Sequence, residues 1–424
     1  MIQTRLFVMM LLQLAIWGAY MPKLFPYMGQ LGFEPWQQSL VGSAWGIAAI
    51  LGIFFSNQFA DRNFSAERFL AVSNIIGGIA LLGCAYFTDF WPFFGAYLVF
   101  SLVFVPSMSV ANAIAFANLR DPAAQFGTIR MGGTIGWILV SWPFFFLLTA
   151  DAGPGEVRQI FIVAAIVSFV FAGYSLTLPH TPPKRDASDT DPLAWRKAIK
   201  LLGIPSVAAL FVVTFIDSTI HNGYFIMIDR FLTERVGIDA NVSMIVQSVG
   251  QIAEIVTMFV LGFVLIRLGW KWTMIVGILG HAVRFLAFAY FPDGEPVTVL
   301  QLSLGNAPLT ISDHVLMVGG IQLLHGICYA FFFATVYIFV DAAFPKDVRS
   351  SAQGLFNLLI LGIGNVAASF LFPPLMAQWT DSATNTVDFR TLFMVPAGMA
   401  FLAILVMAVF FRPAERAPAS VAPQ

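Results

Sequence analysis

Apolar residues run along this chain in twelve long stretches, six on each side of one polar segment at residues 179–204. Runs such as 201–215 and 392–411 carry no charge at all. A bilayer core takes about 20 apolar residues per helix, and in lipid only helices or closed barrels satisfy every backbone group. Barrel strands alternate in polarity over about 10 residues; these runs do not alternate and are far longer. The pattern predicts an all-α integral membrane protein with twelve transmembrane helices. Their expected spans are 6–28, 38–58, 68–88, 91–118, 129–150, 156–178, 205–232, 241–267, 271–292, 313–341, 349–377 and 388–411. Residues 1–178 then form one six-helix bundle, 179–204 a cytoplasmic linker and 205–424 a second bundle. Breaks are expected at Pro22 and Pro26 in the first helix and at Pro374 in the eleventh.

Composition narrows the class. Hydrophobic residues make up 58% of the chain and charged residues 11%, against roughly 25% charged in a soluble domain. A net charge of −1 lacks the basic footprint of a nucleic-acid partner. Cys84 and Cys328 both fall inside apolar runs and read as small core residues, and no disulfide framework, metal or cofactor spacing is present. The first apolar run lacks a small-residue cleavage site and reads as a retained helix.

Lysine and arginine set the orientation, because cytoplasmic loops carry their excess. With the N-terminus inside, the inner segments hold Arg5, Arg62, Arg68, Arg120, Lys184, Arg185, Arg196, Lys197, Lys200, Arg267, Lys271, Lys346, Arg349, Arg412 and Arg416. The outer loops hold only Arg158, Arg235 and Arg390. Both termini and the central loop are therefore expected in the cytoplasm. The halves echo one another: Phe59-Ala60-Asp61-Arg62 follows the second helix, and Arg267-Leu268-Gly269-Trp270-Lys271 follows the eighth. Such matching describes a parallel six-helix repeat, with Asn57 degrading the first charged turn.

Ionisable groups at mid-membrane cost at least about 2.5–3.5 kcal/mol on insertion scales and so mark candidate sites. The eighth helix carries Gln247, Gln251 and Glu254 at offsets of four and three, on one face. Glu254 lies 13 residues before Arg267, about 20 Å along a helix, which places it near the midplane. It reads either as one half of a structural ion pair or as a substrate acceptor able to take up a proton. The fifth helix presents Arg130, Thr134 and Trp137 with the same offsets, a flat ring beside hydrogen-bond donors, although Arg130 could also snorkel to water. The tenth presents His325 and Tyr329, four apart. The seventh carries Asp217, Thr219, His221 and Asn222, and the first carries Gln13, Trp17 and Tyr20 on one face. Arg284 and the Asp229-Arg230 pair read as structural. Amides, hydroxyls, one carboxylate and aromatic faces suit a neutral, flat, hydroxyl-bearing solute; a phosphorylated one would need clustered cations.

Several segments together resemble the bacterial nucleoside:proton symporter family of the major facilitator superfamily. They are Arg130-Met131-Gly132-Gly133-Thr134-Ile135-Gly136-Trp137, Thr177-Leu178-Pro179-His180, Gln251-Ile252-Ala253-Glu254, Arg284-Phe285-Leu286-Ala287-Phe288-Ala289-Tyr290 and Arg349-Ser350-Ser351-Ala352-Gln353-Gly354, in colinear order. The resemblance implies substrate contacts at Arg130, Thr134, Trp137, Thr219, Asn222, Gln251, Glu254, His325 and Tyr329. Glu254, Asp217 and His325 are the candidates for proton coupling. Three positions depart from the family pattern: His325 replaces a phenol, Thr219 a longer amide, and Ala330 an acidic residue that can follow the second aromatic. The expected function is nucleoside import coupled to protons by alternating access, in a monomer of the bacterial inner membrane. The partners are then a nucleoside, a proton and the lipid bilayer. The alternatives are the same machine carrying a sugar or drug, or a non-transporting receptor. No enzyme is expected, because no nucleophile–base or metal-ligand cluster falls in one leaflet.

Overall fold

A computed structural model describes residues 2–55, 64–182, 201–304, 307–344 and 346–412. Among these, nine helices are long and apolar enough to cross a membrane. The longest, Ala240–Ala289, is two helices, joined where Gly269 turns the backbone with φ 71° and ψ 175°. Pro35–Phe55, with 21 residues, and Pro122–Ser141, with 20, also match a bilayer's thickness. The twelve spans of the sequence are thereby accounted for. They are numbered α1 (Ile2–Gln30), α2 (Pro35–Phe55), α3 (Ala66–Tyr86), α4 (Phe90–Asn118), α5 (Pro122–Ser141), α6 (Pro154–Ser175) and α7 (Pro205–Glu234). The rest are α8 (240–268), α9 (270–289), α10 (Asp313–Ala343), α11 (Ala352–Gln378) and α12 (Phe389–Phe410).

Large apolar side chains stay uncovered along these helices: Val72, Ile75, Ile76 and Ile79 on α3, Val256, Phe259 and Phe263 on α8, and Phe401, Leu402 and Leu405 on α12. A soluble monomer rarely exposes patches of this extent. The polar groups point the other way, into the packed interior.

The helices form two compact units: Met1–Ala187 with Ile238–Ser248 and Ser303–Ala307, and Ser188–Gly237 with Val249–Leu302 and Pro308–Gln424. In the first unit α1 packs on α5, and α3 packs on α4 and α6. The glycines of α5 explain the closest of these contacts. A Cβ on Gly136 would stand 2.0 Å from the Leu11 carbonyl oxygen, and one on Gly132 2.6 Å from that of Phe7. Only glycine lets the two backbones approach this far. Behind them Tyr20, Phe93, Tyr97, Phe100 and Phe161 form a buried aromatic core. At one end of α3, Glu67 accepts from the Thr181 backbone N–H (3.0 Å) and pairs with His180 Nδ1 (2.7 Å). The Thr177–His180 segment thus clamps the end of α6 to the start of α3.

In the second unit α7 packs on α11 and α12. A Cβ on Gly223 would meet the Phe372 ring at 2.1 Å, and one on Gly364 would meet Ser218 Oγ at 2.0 Å. The α8–α10 and α9–α10 contacts depend on Gly326, whose Cβ would lie 2.4 Å from the Ala253 backbone, and on Gly277, 2.6 Å from Phe332 N. At the α8–α9 turn Trp270 is buried against Phe339, and Lys271 Nζ donates to the Ala408 carbonyl (2.6 Å). Asp388 caps α12, accepting from the Thr391 hydroxyl (2.6 Å) and backbone N–H (3.1 Å). Those hydrogen bonds hold its carboxyl below the usual carboxylate range.

Three details depart from the sequence expectation, and some expected features fall outside the described residues. Pro22 does interrupt α1, within a 3₁₀ turn at Met21–Lys23, but Pro374 does not break α11. Pro373 and Pro374 both lie inside the helix Gly364–Gln378, where membrane helices tolerate proline once neighbours and local adjustments re-satisfy the freed backbone groups. The fifth span ends at Ser141, not near 150, since Pro143 halts it and only the short helix Phe144–Leu147 follows. Residues 298–312, left unassigned by the apolar pattern, form a two-stranded sheet of β1 (Thr298–Leu304) and β2 (Ala307–Ser312). Finally, the charged turn at Asn57–Arg62 and the basic residues Lys184, Arg185, Arg196, Lys197, Lys200 and Arg416 lie outside the described residues.

Candidate functional site

In the first unit the close α1–α5 approach brings three tryptophans together. Gly18 faces Trp137, and a Cβ there would stand 2.8 Å from its ring. Trp17 then meets Trp137 edge-on, with centroids 5.0 Å apart, and stacks on Trp45 at 4.6 Å and an interplanar angle of 15°. Thr134 and Trp137 are buried on this face and Arg130 is half-buried, one turn along it. Gln13 Nε2 donates to Ser107 Oγ (3.1 Å), while Gln13 Oε1 and the Trp17 indole nitrogen are buried with no hydrogen-bond partner among the described residues. The arrangement offers a flat aromatic wall with an amide oxygen, an indole N–H and a guanidinium at its edge.

The second unit gathers the remaining residues. Gly250 and Gly326 let α8 and α10 touch: a Cβ on Gly250 would lie 3.0 Å from that of His325, and one on Gly326 would lie 2.6 Å from Glu254 N. That contact sets Gln251 and Glu254 beside His325 and Tyr329. Gln251 is buried, with Oε1 unpartnered. Glu254 and Tyr329 are half-buried. Tyr329 opens a π-helical turn, Tyr329–Ala334, a device found mostly at functional positions. On α7, Thr219 is buried and its hydroxyl is turned back to the Phe215 carbonyl (2.8 Å). Asn222 donates to the Ser218 carbonyl (2.8 Å) and accepts from Asn365 Nδ2 (3.3 Å). Ala330 is buried in an apolar cluster with Leu261 and Phe331, so that position supplies no charge.

Arg284, expected to be structural, is fully buried and donates from Nη1 to His325 Nδ1 (2.6 Å). Its guanidinium lies 4.2 Å over the Tyr224 ring, and the Tyr224 hydroxyl donates to Gln322 Oε1 (2.9 Å). Asp217 pairs with His281 (2.9 Å), both with 0% exposure. Sequence reasoning passed over His281, Tyr224, Gln322 and Trp45. Their helical spacings carried the only signal: Asp217, His221 and Tyr224 at offsets of four and three, and His281 and Arg284 three apart.

The model of the nucleoside H+ symporter family matches residues 1–416. The chain belongs to that family. It is a secondary transporter of nucleosides coupled to protons, built on the major facilitator fold, and not an enzyme. Among its relatives, a putative nucleoside transporter of Escherichia coli K12, YegT, is 30% identical over 96% of this chain and 93% of its own length. The xanthosine permease of the same organism is 28% identical over 95% and 94%. The crystal structure of the nucleoside transporter NupG superposes with a TM-score of 0.81 at 23% identity, over 97% of this chain and 99% of that one. A D-xylose–proton symporter structure superposes at 0.70 with 14% identity, over 97% and 98%, sharing the fold alone.

Proposed function

We propose that this protein imports nucleosides across a bacterial inner membrane, as a monomer embedded in lipid with both termini in the cytoplasm. The observation that carries the nucleoside reading is the family match over residues 1–416. The geometry supports a division of labour between two sets of side chains. In the first unit, Trp137, held edge-on by Trp17, is the stacking surface for the base, with Thr134 and Arg130 supplying donors beside it. Base–aromatic stacking tolerates any base, because each has a π-face. In the second unit Gln251, Glu254, Asn222 and Thr219 are the hydrogen-bonding set for ribose hydroxyls and base edges, and Tyr329 and His325 are its aromatic members. Glu254 there acts as an acceptor for hydroxyl groups.

The six-plus-six organisation, with residues 1–178 and 205–424 as bundles and 179–204 as a cytoplasmic linker, belongs to the same proposal. So does the placing of the proton carrier among Glu254, Asp217 and His325, all in the second unit. Calorimetric titration of the purified protein with nucleosides and with monosaccharides tests the substrate class. Nucleosides are expected to bind; saturable binding of sugars without binding of any nucleoside would overturn it.

A further inference from the structure

The second unit holds a polar cluster far larger than helix packing requires. Asp217, His221 and Tyr224 come from α7, His281 and Arg284 from α9, and Gln322, His325 and the Cys328 thiol beside His281 from α10. Asp217, His281, Arg284, Gln322 and Cys328 have no exposure at all. The buried residues of α12 are apolar, with Phe393 against Phe285. A structural network would complete its hydrogen bonds, since half-satisfied buried polar groups are costly. Here Asp217 Oδ2, His221 Nδ1, Arg284 Nε and Nη2, and Gln322 Nε2 have no hydrogen-bond partner among the described residues, and the second ring nitrogen of His281 has only the Cys328 thiol beside it.

Proton bookkeeping singles out one pair. Arginine only donates and stays charged, so His325 Nδ1, which receives its hydrogen bond, carries no proton. His325 is thereby neutral. Asp217, a carboxylate, accepts from His281 Nδ1–H. In the tautomer in which His281 Nδ1–H donates to Asp217, the Nε2 atom carries a lone pair, with the Cys328 thiol beside the ring. A proton arriving there makes an imidazolium directly against Asp217, the pairing a buried charge needs. The guanidinium of Arg284, three residues on along α9, is directed to His325 and Tyr224. Loading of the pair is therefore possible.

Access comes from His221. It is partly exposed, and its ring lies 5.8 Å from His281, 5.2 Å from His325 and 5.9 Å from Tyr329, centroid to centroid. It thus links the sealed pair to two residues of the substrate set.

We propose that the Asp217–His281 pair is where this transporter carries its proton, with His221 passing the proton in. The proposal rests on the proton-symport function stated above, and it makes Glu254 a substrate contact and not the carrier.

The test uses the full chain in proteoliposomes with labelled nucleosides, comparing His281→Gln and Asp217→Asn with wild type. Counterflow, which exchanges nucleoside without net proton movement, should persist in both variants. Accumulation driven by an outside-acid gradient, and the accompanying acidification of a trapped pH dye, should be lost. His221→Phe should slow accumulation but leave its final extent unchanged. Gradient-driven accumulation with proton influx in His281→Gln would overturn the proposal. A second measurement does not depend on the variants folding: nitrogen-15 NMR of the wild type, whose five histidines give few signals. His281 should change protonation between about pH 5 and 9, and the transition should shift when nucleoside is added. A His281 signal fixed in one state across that range, with and without nucleoside, would overturn it. Absence of counterflow in the wild type would instead sink the nucleoside reading, while the His281 titration would still be decided.

Discussion

Trp137 is where the nucleobase reading is most exposed to test at the level of single residues. Its ring is held by Trp17 and backed by Gly18, so in the proposed site it would stack on a base with little ordering entropy left to lose. Stacking is worth about 1–3 kcal/mol per base in nucleic-acid proteins. Trp137→Ala should therefore weaken nucleoside binding by about that amount, and Trp137→Phe by less; calorimetry on both variants checks the order. Gln251→Ala should cost about 0.5–1.5 kcal/mol of binding, the worth of one neutral hydrogen bond, with thermal stability little changed. Glu254→Gln should lower affinity yet leave gradient-driven accumulation intact, measured as uptake with and without a pH gradient. The Gln251–Glu254 and His325–Tyr329 faces were legible in the sequence, because each pair shares one helix and offsets of three or four residues reveal it. The Asp217–His281 pair was not. Its members are 64 residues apart on separate helices, and no periodicity within either helix announces a partner on the other.

Between helices, the glycines decide how near these faces come. At Gly136 and Gly326 any side chain would run into backbone atoms, of Leu11 and Ala253 respectively, which cannot rotate away. Gly136→Ala and Gly326→Ala should each destabilise the protein by about 1–3 kcal/mol through forced backbone shifts, read as a lowered midpoint in detergent melts. Gly127→Ala, inside α5 where a Cβ would meet nothing within 4 Å, is the control and should not destabilise, its helix propensity favouring alanine by about 0.5–1 kcal/mol. Asp388→Ala removes the α12 cap and should cost about 0.5–2 kcal/mol. Span positions were legible because apolar length is dictated by the bilayer. The ends were less so: Pro143 stopped α5 early, whereas Pro373 and Pro374 let α11 run on. A proline's effect depends on whether neighbours compensate the lost ladder bonds, and that is a tertiary property. The β1–β2 sheet was missed for a related reason, since an apolar-run reading has no window for a short strand pair outside the spans.

For the whole molecule, the uneven distribution of lysine and arginine supports cytoplasmic termini, and reporter fusions at both ends should be active only inside the cell. The twelve-helix plan was readable from hydropathy alone, and the family from five separated segments of sequence. The proposed proton-carrying pair was only half readable, because its two members lie on separate helices. In a symporter, nucleoside movement and proton movement are one process. Uptake of labelled nucleosides into proteoliposomes holding the pure protein, with and without an outside-acid gradient, measures the coupling. Accumulation above the outside concentration is expected only when the gradient is present, and is abolished when a protonophore collapses it. Equal uptake with and without the gradient, stopping when inside and outside concentrations match, would contradict that coupling.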